Sequence, residues 1–89
     1  MRTVRVKVFG RVQGVGFRYY AVHTARSLGI TGYVRNETDG SVEAIATGDF
    51  SAVDTFIRKI VRGPVYANVT GSVVEEIPLQ HFGDFEVRY

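Results

Sequence analysis

Nine consecutive residues, Gly10-Arg11-Val12-Gln13-Gly14-Val15-Gly16-Phe17-Arg18, carry three glycines and end in an arginine. Glycine lets a backbone take φ > 0 and turn several N–H groups toward one point. A helix that starts at this place adds unpaired donors and the positive end of its dipole. Arginine adds a planar, permanently charged fork. Together these residue types describe a cradle for a small oxyanion such as a phosphoryl group. Two nucleotide loops do not fit. A Walker A loop needs Lys-Ser/Thr after its last glycine, but Phe17-Arg18 follows Gly16. A dinucleotide fingerprint needs a third glycine where Tyr19 stands.

Arg18 is placed against local stability. A basic side chain in the first helical turn opposes the helix dipole, so its presence there points to an anionic partner. A plain surface pairing with a carboxylate is the competing account. A second constellation, Gly32-Tyr33-Val34-Arg35-Asn36 followed by Asp39-Gly40-Ser41-Val42-Glu43, ends a strand and starts a turn. The Asn36 amide has both a donor and an acceptor. It can hold a water or cap the turn, and read alone the turn cap is favoured.

The elements around these groups follow from periodicity. Val4, Val6 and Val8 alternate with Arg5 and Lys7, a strand with one buried face. Residues 17–28 switch to helical spacing through Phe17, Ala21, Ala25 and Leu28, and Gly29 stops the helix. Residues 30–36 read as a second strand, Asp39-Gly40 as a hairpin turn, and 41–47 as a third strand with Val42, Ala44 and Ala46 inward. Ser51 and Asp54 resemble a capping box before the apolar stripe Val53, Phe56, Ile57, Ile60, Val61, which Gly63-Pro64 ends. Residues 67–77 make a fourth strand and 85–89 a short last one. The order predicts a ferredoxin-like βαββαβ sandwich, α+β: a mostly antiparallel sheet, two helices on one face and a short extra C-terminal strand.

Composition sets limits. The 89 residues suit one domain, 1–89, which buries roughly 60–65% of its unfolded surface. With no cysteine, disulfides, thiolate metal sites and a cysteine nucleophile are excluded. Two isolated histidines, His23 and His81, make no metal site and read as surface or loop residues. Tyr19, Tyr20 and Tyr33 read as packing residues. Thr38 and Ser41 flank the turn and serve it. No apolar run approaches a membrane span, and the alternating N-terminus has no signal-peptide apolar region, so a cytoplasmic protein is expected. The net charge of +2 hides an asymmetry. Residues 1–36 hold seven basic side chains (Arg2, Arg5, Lys7, Arg11, Arg18, Arg26, Arg35) and no acidic one, while residues 37–89 hold four basic and nine acidic. The glycine loop lies in the positive half, where a small anion is concentrated.

The two motifs, Gly10-x-Val12-Gln13-Gly14-Val15-x-Phe17-Arg18 and Gly32-x-Val34-x-Asn36-x-x-Asp39-Gly40-x-Val42-Glu43, closely resemble the acylphosphatase family. The likeness continues through Gly63-Pro64 to the aromatic-rich C-terminus. It implies a hydrolase that splits acyl phosphates into a carboxylate and inorganic phosphate. It also implies that Arg11, Val12, Gln13, Gly14, Val15, Gly16, Phe17 and Arg18 bind the phosphoryl group, and that Asn36 orients the attacking water. The chemistry needs no metal, nucleophilic side chain or cofactor, because a carboxylate of pKa about 4–5 leaves without a general acid. A monomer is expected, without nucleic-acid or membrane partners. Two other functions compete: a non-catalytic anion-binding module, and an RNA-binding domain of the same topology. A chain ending at Tyr89 argues against a part of a larger protein. Outward positions Arg5 and Lys7 on the first strand, and Ser41, Glu43, Ile45 and Thr47 on the third, offer no stacking aromatic, which argues against RNA.

Overall fold

Strict alternation at the N-terminus produces the centre of the sheet. In the computed structural model, which describes residues 1–89, Val4, Val6 and Val8 are fully buried on β1 (Arg2–Arg11). The chain continues through α1 (Phe17–Ser27), β2 (Thr31–Asn36), β3 (Val42–Gly48), α2 (Phe50–Arg62), β4 (Asn68–Ile77) and β5 (Phe85–Val87). The sheet order is β4-β1-β3-β2-β5. All pairings are antiparallel except that of β5 with β2. Register sets Val4 opposite Ala46, Val6 opposite Ala44 and Val8 opposite Val42, so an alanine faces a valine across β1 and β3 at the first two positions and two valines meet at the third. Phe17, Ala21 and Ala25 of α1 and Val53, Phe56 and Ile60 of α2 close the core on that face. The expected α+β sandwich is therefore the observed one.

Two local expectations fail. The Ser51–Asp54 capping box does not form. Asp49, in an extended conformation, stands at the N-cap of α2 and makes no side-chain cap bond. Asp54 instead accepts a hydrogen bond from Arg2 at 2.7 Å, because the ion pair across to the sheet is within reach and the helix begins a residue before Ser51. The second failure concerns the outer sheet face, where Ser41, Ile45 and Thr47 are buried rather than outward and solvated. The segment joining β4 to β5 must travel from one sheet edge to the other and lies across that face. The Gln80 amide donates to Thr3 Oγ1 at 3.0 Å, and the Gln80 carbonyl accepts from Thr47 Oγ1 at 2.9 Å. The face also carries Tyr33, but its ring is no stacking platform. The Arg88 guanidinium lies 4.0 Å from the ring centroid and Phe82 meets it edge-on at 5.9 Å.

Candidate active site

The loop between β1 and α1 turns through two left-handed glycines, Gly14 at φ 72° and Gly16 at φ 79°. Gly16 is the N-cap of α1 and has no side chain to satisfy the first amides of the helix. A side chain at φ near +75° is strained whatever space surrounds it, so the loop's path depends on these glycines. The backbone amides of residues 12–16 donate to no acceptor within the chain, and the first bond after the loop runs from the Tyr20 amide to the Gly16 carbonyl at 3.0 Å. Successive unspent N–H groups at a helix start form an anion-binding concavity.

Arg18 is the second residue of α1 and takes part in no ion pair. Its guanidinium carbon lies 5.3 Å from the centroid of the Tyr89 ring, which leaves the forked donors unspent. The other basic residues of the first half behave differently. Arg2 pairs with Asp54 and Glu76, Arg5 with Glu75, Lys7 with Asp39, Arg26 with Asp84, and Arg35 with Glu37. Only Arg11 and Arg18, the two that flank the loop, stay unpaired. The acidic half of the chain thus folds back to neutralise the basic half everywhere except beside the cradle.

Asn36 ends β2 opposite Val42. Its Oδ1 is buried and has no hydrogen-bond partner. A buried acceptor without a partner is costly, so this atom calls for a donor from whatever occupies the site. The turn-cap reading of Asn36 gives way to Asp39, whose Oδ1 accepts the Ser41 amide at 3.0 Å and the Ser41 hydroxyl. Those two bonds from Ser41, helped by the Lys7 ammonium, hold the Asp39 carboxyl at a pKa of about 2. Farther along the hairpin, Glu43 is pushed above the ordinary carboxylate range. Burial is the main cause and the charge of Glu37 adds to it, while Arg35 and Arg5 pull the other way.

A connection that sequence patterns do not reveal ties loop to hairpin. The Gln13 side-chain amide donates to the Glu37 carbonyl at 2.8 Å and to the Ser41 carbonyl at 2.9 Å. Glu37 is the neighbour of Asn36, so one side chain sets the distance between the cradle and the asparagine.

These elements enclose a cavity of about 470 Å³. Val12, Gly14, Gly16, Phe17, Arg18 and Asn36 all line it. Arg11, Gln13 and Val15 do not: Arg11 is exposed at the end of β1, Gln13 is turned to the hairpin, and Val15 packs on the core. Tyr19, expected to pack, is 78% exposed and forms part of the cavity rim. Tyr20 does pack, edge-on against Phe17, and donates its hydroxyl to the Lys59 carbonyl. His23 and His81 are exposed and outside this cavity. Sequence reasoning missed Val22 and Arg26 on α1 and Glu86, Val87 and Tyr89 at the C-terminus. The first two carry a signal: they follow Arg18 at steps of four, one stripe of a helix.

The family model for acylphosphatase matches residues 4–87. An acylphosphatase of Thermotoga maritima is 44% identical over 89 residues, covering 100% of this chain and 99% of the relative. One of Rhizobium etli is 47% identical over 85 residues, covering 94% and 90%. The crystal structure of acylphosphatase from Bacillus subtilis superposes with a TM-score of 0.96 at 37% identity, covering 100% of each chain. On its motifs, its fold and these likenesses, the chain belongs to the acylphosphatase family.

Proposed function

We propose that the amides of residues 12–16 and the Arg18 guanidinium hold the phosphoryl group of an acyl phosphate while Asn36 orients the water that attacks it. The activity itself, hydrolysis of acyl phosphates by a hydrolase of this family, follows from the membership just given. The residue roles rest on one observation. Free donors and a free acceptor converge on one cavity: it is lined by Val12, Gly14 and Gly16, whose amides have no acceptor, by the unpaired Arg18 and by Asn36, whose buried Oδ1 has no donor.

Phosphoryl transfer through a loose transition state spreads charge over the equatorial oxygens. Fixed N–H donors and Arg18 stabilise that charge with no reorganisation. The carboxylate leaves unprotonated. Asn36 Oδ1 accepts a hydrogen bond from the water and sets it in line with the leaving oxygen. An amide is too weak a base to take the water's proton, so the proton passes to a phosphate oxygen. No step in this scheme calls on a metal ion. The products are a carboxylate and inorganic phosphate.

The catalytic unit in this proposal is a single domain, residues 1–89, acting as a monomer. In support, loop, helix, hairpin and C-terminal wall of the cavity all come from one chain around one core. The proposed setting is the cytoplasm. No helix is long and apolar enough to cross a membrane, and β1 is built into the sheet interior between β4 and β3.

The test is hydrolysis of acetyl and benzoyl phosphate by purified protein with excess chelator. Turnover well above the spontaneous rate is expected. Loss of turnover on chelation would overturn the metal-free scheme, and no turnover in either condition would overturn the catalytic assignment.

A further inference from the structure

We propose that a second cavity, between α1 and the last turn of α2, binds an organic phosphate, with the phosphate on Lys59 and Arg62 and the carbon body against Tyr20, Pro64 and Val65. This cavity holds about 680 Å³ and shares no lining residue with the one described above. Its α1 wall is Tyr20, His23, Thr24 and Ser27, spaced as one stripe of a helix. The segment after Gly63 closes it on the far side.

The charge of this cavity is uncompensated. Lys59 and Arg62 enter no ion pair, and no aspartate or glutamate is among the lining residues. Other cations without a carboxylate are spent in different ways: Arg58 donates to Thr55 Oγ1 at 3.1 Å, and Arg88 lies on the Tyr33 ring. Basic side chains in a last helical turn do complement the helix dipole. Here the Lys59 carbonyl already accepts the Tyr20 hydroxyl at 2.8 Å and the Gly63 amide at 2.9 Å, so neither cation is needed to satisfy it. Burial pushes the Tyr20 phenol above its ordinary value while the Arg62 guanidinium pulls the other way, which places that cation near the α1 wall.

The donor set suits a dianion. Residues three apart on a helix are neighbours, so the Arg62 fork and the Lys59 point charge meet one phosphate together. A phosphate monoester carries close to two negative charges at neutral pH. His23 adds a ring N–H from the opposite wall. The volume lies within the roughly 300–1,000 Å³ of pockets that enclose whole organic ligands, and a phosphate alone fills a small part of it. Val65, 93% exposed beside Pro64, is an apolar rim that loses water when a carbon body covers it.

The experiment is a residue-resolved amide NMR titration of the full chain with phenyl phosphate and, separately, with inorganic phosphate. Amides of His23, Arg62, Gly63 and Val65 report the second cavity, and amides of residues 12–18 report the first. Phenyl phosphate is expected to move both sets, each with its own saturation curve. Inorganic phosphate should need about threefold or more higher concentration at the second set, because no apolar area leaves water. Lys59→Gln and Arg62→Gln should each weaken phenyl phosphate at the second set by about threefold or more and leave the first set unchanged. Arg58→Gln, an exposed cation on the same helix outside the lining, should weaken it less. Lys59 and Arg62 are exposed, so either variant keeps the core, and one folded variant suffices. Shifts confined to residues 12–18 and Asn36 would overturn the site. So would an equal loss in Arg58→Gln, which would mean diffuse charge, and equal potency of the two phosphates would overturn the organic ligand.

Discussion

The loop before α1 and the hairpin between β2 and β3 face each other across the cavity, yet they treat polar groups in opposite ways. The loop leaves its amides and its arginine unspent. The hairpin spends nearly everything: Asp39 takes both Ser41 donors and Lys7, Arg35 takes Glu37, and the Glu37 amide donates to the Ser41 carbonyl at 2.9 Å. The hairpin's one buried side-chain atom without a partner is Asn36 Oδ1. On the roles proposed above, the contrast separates holding from positioning. A surface that binds an anion needs many donors free at once. A surface that aims one water needs a single free acceptor on a rigid frame.

The contrast breaks most visibly at Arg18. Arg18→Ala is expected to lower kcat/KM by about 10²–10³-fold, the cost of losing one strong transition-state donor. It should also weaken inhibition by inorganic phosphate, which competition assays measure directly. Asn36→Ala comes next, with kcat down about 10²-fold, as for a misplaced reactant. Here inorganic phosphate should bind as before. Full kcat in this variant would remove the asparagine from the mechanism.

Gln13→Ala tests the tie between the two regions. Its expected loss is about tenfold in kcat with a smaller change in KM, because each region stays intact and only their spacing relaxes. A change confined to KM would place Gln13 in the cradle instead. The smallest effect concerns pH. The Asp39 carboxyl is depressed in the folded state, so its contribution to stability is full above the unfolded value near 4 and is lost as pH falls through about 2. Asp39→Asn should therefore lower thermal stability at pH 7, and the difference from the parent should vanish toward pH 2 in a calorimetric series.

The fold was legible because its two periods are clean. Valine at every second position of β1 and the apolar stripe of α2 admit one reading each, and the glycine loop marks the switch from strand to helix. Arg18 stood out by its type and its place in the first helical turn, whereas Asn36 read alone as a turn cap and took its water-orienting role only from the family resemblance. The Gln13 clamp was not legible, because a glutamine has no pattern of its own and its acceptors are main-chain carbonyls 24 and 28 residues away. Nor were Glu86, Val87 and Tyr89, since their place depends on a three-residue parallel pairing at a sheet edge. The Asp39 turn was half legible: the Asp-Gly signal marked the hairpin, but not that aspartate would relieve Asn36 of capping. The failed capping box at Ser51 shows a tertiary ion pair outweighing a local motif.

The place of β1 in the sheet has a consequence for synthesis. Arg5 pairs with Ile45 on one side and with Glu75 on the other. The strand β1 thus acquires its second neighbour only when β4 is made. Contacts so distant in sequence close slowly, since the loop entropy is lost before the pairing rewards it. During vectorial synthesis the loop before α1 emerges ahead of β4 and is without its foundation until β4 follows. The region to which the chemistry is assigned here is translated before the strand that completes its support.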